Sequence, residues 1–278
     1  MSTARDALSD MDTAWPAVSA GAATTATATE TGVTSVLGSI HSWDLSTGVD
    51  GPGTRFVVFT QGCPLRCQYC HNPETWRMRD GRPIESAEVV AEAAKYVPFI
   101  QASGGGATVS GGEPLLQPRF TAAVLQGFKA LGLHTALDTS GYLGAQASSA
   151  LLTATDLVLL DVKSWDNALY RRLTGRDLHP TLAFARRLAD LPAPMPVHLR
   201  FVLVPGLTDA AANVAGVARF AASLSNVERV DVLPFHKLGA AKYAALGIPF
   251  PLADTPTPTL RQLRDAREIF AAEGLTVV

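Results

Sequence analysis

The sequence predicts an α/β fold, a partial (β/α)6 TIM-like barrel of parallel strands, from three observations. Short β-branched or Leu-rich runs alternate with longer helical patterns from residue 55 onward, the order that builds βαβ units. The short runs are almost wholly apolar, as strands covered on both faces are. Each run also ends in a polar or Gly/Pro group, and in β/α barrels the C-terminal strand ends converge on one rim where sites are built. An open doubly wound sheet is the alternative architecture.

The elements follow in order. A first strand is expected at Arg55–Phe59, and a helix at Ala87–Tyr96 with Ser86 as its N-cap. A second strand, Ala107–Ser110, runs into Gly111-Gly112-Glu113 and a helix at Arg119–Leu131. The third, His134–Asp138, ends in Asp138-Thr139, with a helix from roughly Ala145 to Leu152. The fourth, Leu157–Asp161, ends in Asp161-Val162-Lys163, before a helix at Pro180–Leu191. The fifth, His198–Val204, turns at Pro205-Gly206 into a helix at Ala210–Leu224. The sixth, Arg229–Leu233, ends in Pro234-Phe235-His236, and Thr259–Ala272 closes the chain as a helix. Residues 1–32, rich in Ala and Thr with almost no large apolar side chains, cannot offset their ordering entropy and are expected to be a disordered tail. The barrel domain is expected over 33–278, without an internal repeat.

Composition narrows the function. The 278 residues carry 23 Lys+Arg and 25 Asp+Glu, a net charge of −2, with 47% hydrophobic residues. Such a balance offers no broad electrostatic footprint for nucleic acid or an anionic membrane. No run approaches the roughly 18 apolar residues of a membrane span, and residues 1–30 lack the apolar stretch of a secretory signal. A soluble, cytoplasmic protein is expected.

The three cysteines, Cys63, Cys67 and Cys70, lie within one short segment after the first strand, in a C-x3-C-x2-C spacing. An odd, clustered set is not a disulfide framework. Three thiolates on one loop suit three corners of a [4Fe–4S] cluster, whereas electron-transfer clusters normally take four cysteines. With no fourth Cys, one iron is left to bind something else, the mark of a site that takes substrate at its metal. A zinc site of three Cys plus His71 is the rival, but His71 follows its neighbouring Cys directly, and the usual paired spacing is missing. His41, His134, His179 and His198 have no comparable context, and Gly104-Gly105-Gly106 fits no nucleotide-loop pattern.

Cys63-x3-Cys67-x2-Cys70 is the signature of the radical S-adenosylmethionine enzymes. Val49-Asp50-Gly51-Pro52-Gly53-Thr54-Arg55-Phe56, Tyr69-Cys70-His71-Asn72, Ser103-Gly104-Gly105-Gly106, Ser110-Gly111-Gly112-Glu113-Pro114, Asp138-Thr139-Ser140-Gly141, Leu160-Asp161-Val162-Lys163 and Leu233-Pro234-Phe235-His236 extend the likeness. Together they resemble the pyruvate formate-lyase activases of that superfamily from about Val33 to Val278. The resemblance implies that Cys63, Cys67 and Cys70 ligate and catalyse through the cluster, whose unique iron chelates S-adenosylmethionine. It implies that Tyr69 and His71 line the adenine, and that Gly111-Gly112-Glu113 meets the cofactor's amino group. Asp161, Val162, Lys163, Arg200 and His236 match further cofactor-binding positions. Asp138 is among these too, and with Thr139 and Asp161 it resembles a monovalent-cation site.

The implied chemistry is homolytic: the reduced cluster splits S-adenosylmethionine into methionine and a 5′-deoxyadenosyl radical, which removes a hydrogen atom from the substrate. In the resembled family that hydrogen sits on a glycine Cα of a glycyl radical enzyme, pyruvate formate-lyase (formate acetyltransferase), in anaerobic glucose metabolism. No general base is needed, in keeping with the lack of a Ser-His-Asp pattern. The low potential required calls for a separate electron donor, flavodoxin or ferredoxin. The lack of further cysteines argues against activases carrying an inserted ferredoxin-like domain. Two other readings share the cluster: a radical enzyme acting on a small molecule, such as a nucleobase-precursor ring contraction, and a non-enzymatic iron–sulfur redox protein.

Overall fold

The computed structural model describes residues 35–278. The expected tail and the start of the domain at Val33 lie outside the described residues. Eight strands form one sheet: β1 (Leu37–Thr47), β2 (Thr54–Thr60), β3 (Arg82–Glu85), β4 (Gly106–Gly111), β5 (His134–Thr139), β6 (Leu157–Asp161), β7 (Val197–Leu203) and β8 (Val227–Pro234). Their order is β3-β1-β2-β4-β5-β6-β7-β8.

From β2 to β8 every neighbouring pair is parallel and sequential. These are the six expected strands. A doubly wound sheet reverses its order at a switch point and places helices on both faces. An unreversed order with right-handed crossovers places all helices on one face, the arrangement of a β/α barrel. Since β3 and β8 are not paired to each other, the barrel stays open, as the partial (β/α)6 reading requires.

The helices are α1 (Ser86–Ala94), α2 (Val97–Ala102), α3 (Pro118–Ala130), α4 (Ser149–Thr153), α5 (Asn167–Thr174), α6 (His179–Ala189), α7 (Ala211–Ala222), α8 (Ala240–Ala245) and α9 (Leu260–Ala272). The start of α1 differs from expectation. Glu85 is its N-cap, with its own N–H donating to Glu88 at 3.2 Å. The hydroxyl of Ser86 instead accepts from the Val36 N–H at 3.0 Å, tying α1 to the start of β1. The expected Ala145–Leu152 helix divides into a 3-10 turn at Gly144–Gln146 and α4, because Ser148 caps a new start by accepting from the Leu151 N–H.

Strand periodicity sorts the side chains. Val58, Val109, Leu137, Val158 and Leu160 join the main core together with α3, α6 and α7 residues such as Val124, Phe184 and Val217. Ala136, Leu157 and Leu159 form a separate small cluster on the other face. That inner face carries the polar rim, because in-register pairs share a face: Asp138 is opposite Leu159, Asp161 opposite Arg200, and Arg200 opposite Asp231. Arg55, 1% exposed, closes the inner face at its lower end by donating to Thr108 at 2.6 Å and to the carbonyls of Ala107 and His134 at 2.6 and 3.0 Å.

Candidate active site

The cysteines lie on the loop that leaves β2. Gly62 starts the loop at φ 93°, a left-handed conformation that an L side chain resists, and its N–H donates to the Thr75 carbonyl at 2.7 Å. The middle of the loop is held by the C-terminal carbonyls of α5, which accept from the N–H of Arg66 (Thr174, 2.8 Å) and of Gln68 (Leu173, 3.0 Å). Those carbonyls have no partners within their own helix, so α5 satisfies the loop while the loop satisfies α5. Gln61 adds a brace, its amide donating to the carbonyls of Glu74 and Arg77 at 2.8 and 2.9 Å.

Gly111 and Gly112 lie directly against this loop. Gly111 has φ 113°, and a Cβ on Gly112 would overlap the Gly62 carbonyl oxygen. The Glu113 N–H donates to that carbonyl at 2.9 Å. The Glu113 side chain, 1% exposed, is saturated from within the chain. It accepts from the Thr139 hydroxyl (2.6 Å), the Ser140 hydroxyl (2.5 Å) and the N–H groups of Ser140 (3.0 Å) and Leu115 (3.2 Å). Burial still pushes its carboxyl up, against those four bonds.

Asp138, Asp161, Lys163 and Arg200 form one network. The Arg200 guanidinium bridges the two carboxylates, donating from Nε to Asp161 at 2.9 Å and from Nη2 to Asp138. Lys163 donates to the other oxygen of Asp161 at 2.8 Å, and Ser110 donates to Asp138 at 2.7 Å. Lys163 can reach Asp161 because residues two apart on a strand share a face. Burial alone would raise Asp161, but the two cations outweigh it and hold its carboxyl down at about 2. Asp138 moves the other way: its burial exceeds the help of Arg200, and its carboxyl is pushed up. Arg200 therefore faces inward, not out to an ion pair at the surface.

The Lys163 ammonium also lies 5.7 Å from the ring of Tyr69, which packs with Leu169, Leu173, Val204, Phe235 and Leu252. His71 meets His236 across the loop, their ring centroids 4.1 Å apart. The backbone of Cys70 and His71 closes on Gly239 at the start of α8. The structure thus brings together Cys63, Cys67, Cys70, Tyr69, His71, Gly111, Gly112, Asp138, Asp161, Lys163, Arg200 and His236. Two residues stand apart. The Val162 side chain lies in the main core, leaving only its backbone toward the rim. Thr139 spends its hydroxyl on Glu113, and the place assigned to a monovalent cation between Asp138 and Asp161 holds the Arg200 guanidinium. Ser110 and Ser140, which position the two carboxylates, were not singled out in sequence; each is a small hydroxyl inside a Gly-rich motif, where a turn explains it equally well.

The donor set fits an iron–sulfur cluster. Among the described residues, no three His, Cys, Asp or Glu side chains converge as one metal ion needs. Burial and then the neighbouring Cys67 and Glu113 charges push the Cys63 thiol up, and burial takes Cys67 to about 12. Three thiols on one loop are the ligand type that the irons of such a cluster take.

Comparison with known proteins agrees with this geometry. The profile of the Radical SAM superfamily matches residues 57–215. The pyruvate formate-lyase-activating enzyme of Staphylococcus epidermidis is 43% identical over 236 residues, 82% of this chain and 93% of that one. The chain belongs to the family of pyruvate formate-lyase-activating enzymes. The Staphylococcus aureus relative is 44% identical over 228 residues, covering 80% of this chain and 90% of its own. Among solved structures, a domain of pyruvate-formate lyase-activating enzyme from Bacteroides vulgatus superposes with TM-score 0.53 at 27% identity, over 63% of this chain and 98% of that domain. A radical SAM methyltransferase from Sphaerobacter thermophilus, 17% identical with TM-score 0.60 over 90% of this chain, shares the fold. Members of the activase family use a [4Fe–4S] cluster and S-adenosylmethionine.

Proposed function

We infer that this chain activates pyruvate formate-lyase by generating a glycyl radical on it. The observation that carries the reading is the family membership, joined to a cysteine loop and a charged rim brought together at one end of the sheet. When bound, the cluster supplies the electron that splits S-adenosylmethionine into methionine and a 5′-deoxyadenosyl radical, which takes a hydrogen atom from a glycine Cα of the partner.

The protein's own part is binding and orientation. Cys63, Cys67 and Cys70 would hold the cluster through three thiolates. Gly111 and Gly112 bring bare backbone toward the cofactor's ammonium; with Glu113 saturated internally, that carboxylate positions the glycines and does not reach out. Asp161 and Lys163 offer a charged pair at the mouth, Arg200 and Asp138 hold Asp161 in place, and Val162 takes part through its backbone. Tyr69, His71 and His236 supply flat surfaces for the adenine. The electron comes from flavodoxin or ferredoxin.

The test is label transfer. Activation of a formate lyase whose glycines carry deuterium at Cα is expected to yield 5′-deoxyadenosine bearing one deuterium per radical formed. Unlabelled 5′-deoxyadenosine beside an active glycyl radical would overturn the reading.

A further inference from the structure

Four arginines surround the cysteine loop without a role in binding the cofactor. Arg66 lies in the loop, Arg77 precedes the 3-10 turn at Met78–Asp80, and Arg172 and Arg176 flank the C-terminus of α5. Side-chain contacts place Arg66 and Arg176 on the loop, and the backbone carbonyls of Arg77 and Arg172 brace its two ends. Arg66 donates to the carbonyls of Cys63 and Leu65, both at 2.7 Å, and its guanidinium lies 5.1 Å from the Trp76 ring. Arg176 donates to the Pro64 carbonyl at 2.8 Å, and Gln68 of the loop donates to the Arg172 carbonyl at 2.9 Å.

Arg77, Arg172 and Arg176 are exposed. Their neighbours Arg79 and Arg171 are paired with Asp80 and Asp177, whereas among the described residues none of these four has a carboxylate partner. A helix C-terminus favours a cation in its last turn, which accounts for Arg172, and the loop carbonyls account for Arg66. Neither effect calls for exposed charge without a carboxylate partner at Arg77, and Arg176 stays exposed although its Nε donates to the Pro64 carbonyl. In a chain of net charge −2, an uncompensated basic patch around one loop is a local feature that long-range averaging hides.

We propose that this arginine face is the docking surface of a small acidic electron-carrier protein that reduces the cluster held by the loop. The proposal rests on the activase reading, which requires a one-electron donor. The step is a single electron transfer: the carrier is oxidised by one electron, the cluster is reduced by one, and no bond or proton moves. Arginine suits the task because its fork pairs with carboxylates on a partner, and opposite patches steer encounter and raise the association rate. The face lies on the outer anchors of the loop, Pro64, Leu65 and Thr174, and not on the inward-facing strand residues that meet the cofactor.

The test uses the cluster-loaded protein and its Arg77→Glu/Arg172→Glu variant, two exposed side chains with no hydrogen bond to the loop among the described residues. Cluster reduction is followed by stopped flow with flavodoxin hydroquinone, and separately with reduced methyl viologen. The binding of oxidised flavodoxin to each cluster-free protein is measured by calorimetry. The variant is expected to be reduced by flavodoxin about tenfold more slowly at low salt, to approach wild type at high salt as charges are screened, and to bind flavodoxin more weakly. Reduction by viologen is expected to be unchanged. Equal flavodoxin rates in the two proteins, an equal slowing with viologen, or weakened capture of formate lyase with flavodoxin unaffected would each overturn the docking face. If viologen-reduced wild type fails to cleave S-adenosylmethionine, the activase reading fails instead.

Discussion

A buried carboxylate is tolerated when donors satisfy its oxygens, and Glu113 has four of them from β5, the residue after it and the turn behind it. Glu113→Gln keeps the shape but sets an NH2 against hydroxyl and N–H donors, which costs about 1–3 kcal/mol for a buried group left unsatisfied. The expected outcome is a Tm lower by about 2–4 °C per kcal/mol for a chain of this size, read by calorimetry, with iron content reduced because Gly112 loses its backing. At Asp161 the expectation concerns pH. Its carboxyl is held at about 2 in the fold, against about 3.9 in an unfolded chain. A depressed acid stabilises the fold above its unfolded value and loses that contribution as pH falls through the folded one. The stability difference between wild type and Asp161→Asn is therefore expected to be full above about pH 4 and to vanish toward pH 2, measured by urea unfolding across that range. Of the residues at this scale, the motif positions were legible in sequence. The serines were not, since a hydroxyl that completes another residue's hydrogen bonds leaves no periodic or spacing signal of its own.

Elements that were legible were those with one strong pattern. All six parallel strands are found within two residues of the expected bounds, because a strand covered on both faces has no polar half to disguise it. β1 was missed for the opposite reason. Its sequence, LGSIHSWDLST, mixes polar and apolar residues, as suits an antiparallel strand near an edge with one face in water. β3 carries Pro83 on the sheet's edge, the place where a strand tolerates proline. Short α5 was overlooked although its signals stand in the sequence: Asp166 caps its start by accepting from the Leu169 N–H at 2.6 Å, and Gly175 ends it at φ 73°. That helix matters most to the site, since its last carbonyls hold the cysteine loop. β1 is held to the barrel by close packing at Gly38, where a Cβ would overlap the ring of buried Phe120. Gly38→Val is expected to destabilise by about 1–3 kcal/mol through overpacking. A shift in the urea midpoint at constant slope checks this, and an unchanged midpoint would show that β1 can lift from α3.

For the whole molecule, the sequential parallel order fixes where chemistry can occur, because the six parallel strands end at the same mouth and the cysteine loop is the first connection to leave it. The strand ends that are polar in sequence meet there: Ser110, Asp138 and Asp161 by hydrogen bonds that Arg200 from within β7 joins, and His236 by its contact with His71. Pro205-Gly206 is the exception, a turn whose Gly206 N–H is capped by Asp209 at 2.9 Å. Global composition could not reveal the arginine face, as a net charge averages over the asymmetry that the fold creates. No helix among the described residues is long and apolar enough to cross a membrane. The central claim, that three thiols on one loop support radical transfer to a partner's glycine, has a direct measurement. Reconstituted protein, S-adenosylmethionine, reductant and formate lyase are frozen anaerobically, and the electron paramagnetic resonance spectrum is recorded. The account predicts a glycine-centred doublet on the lyase that requires all four components and disappears with Cys67→Ala. A doublet that persists in that variant, or none with cluster-loaded wild type, would contradict it.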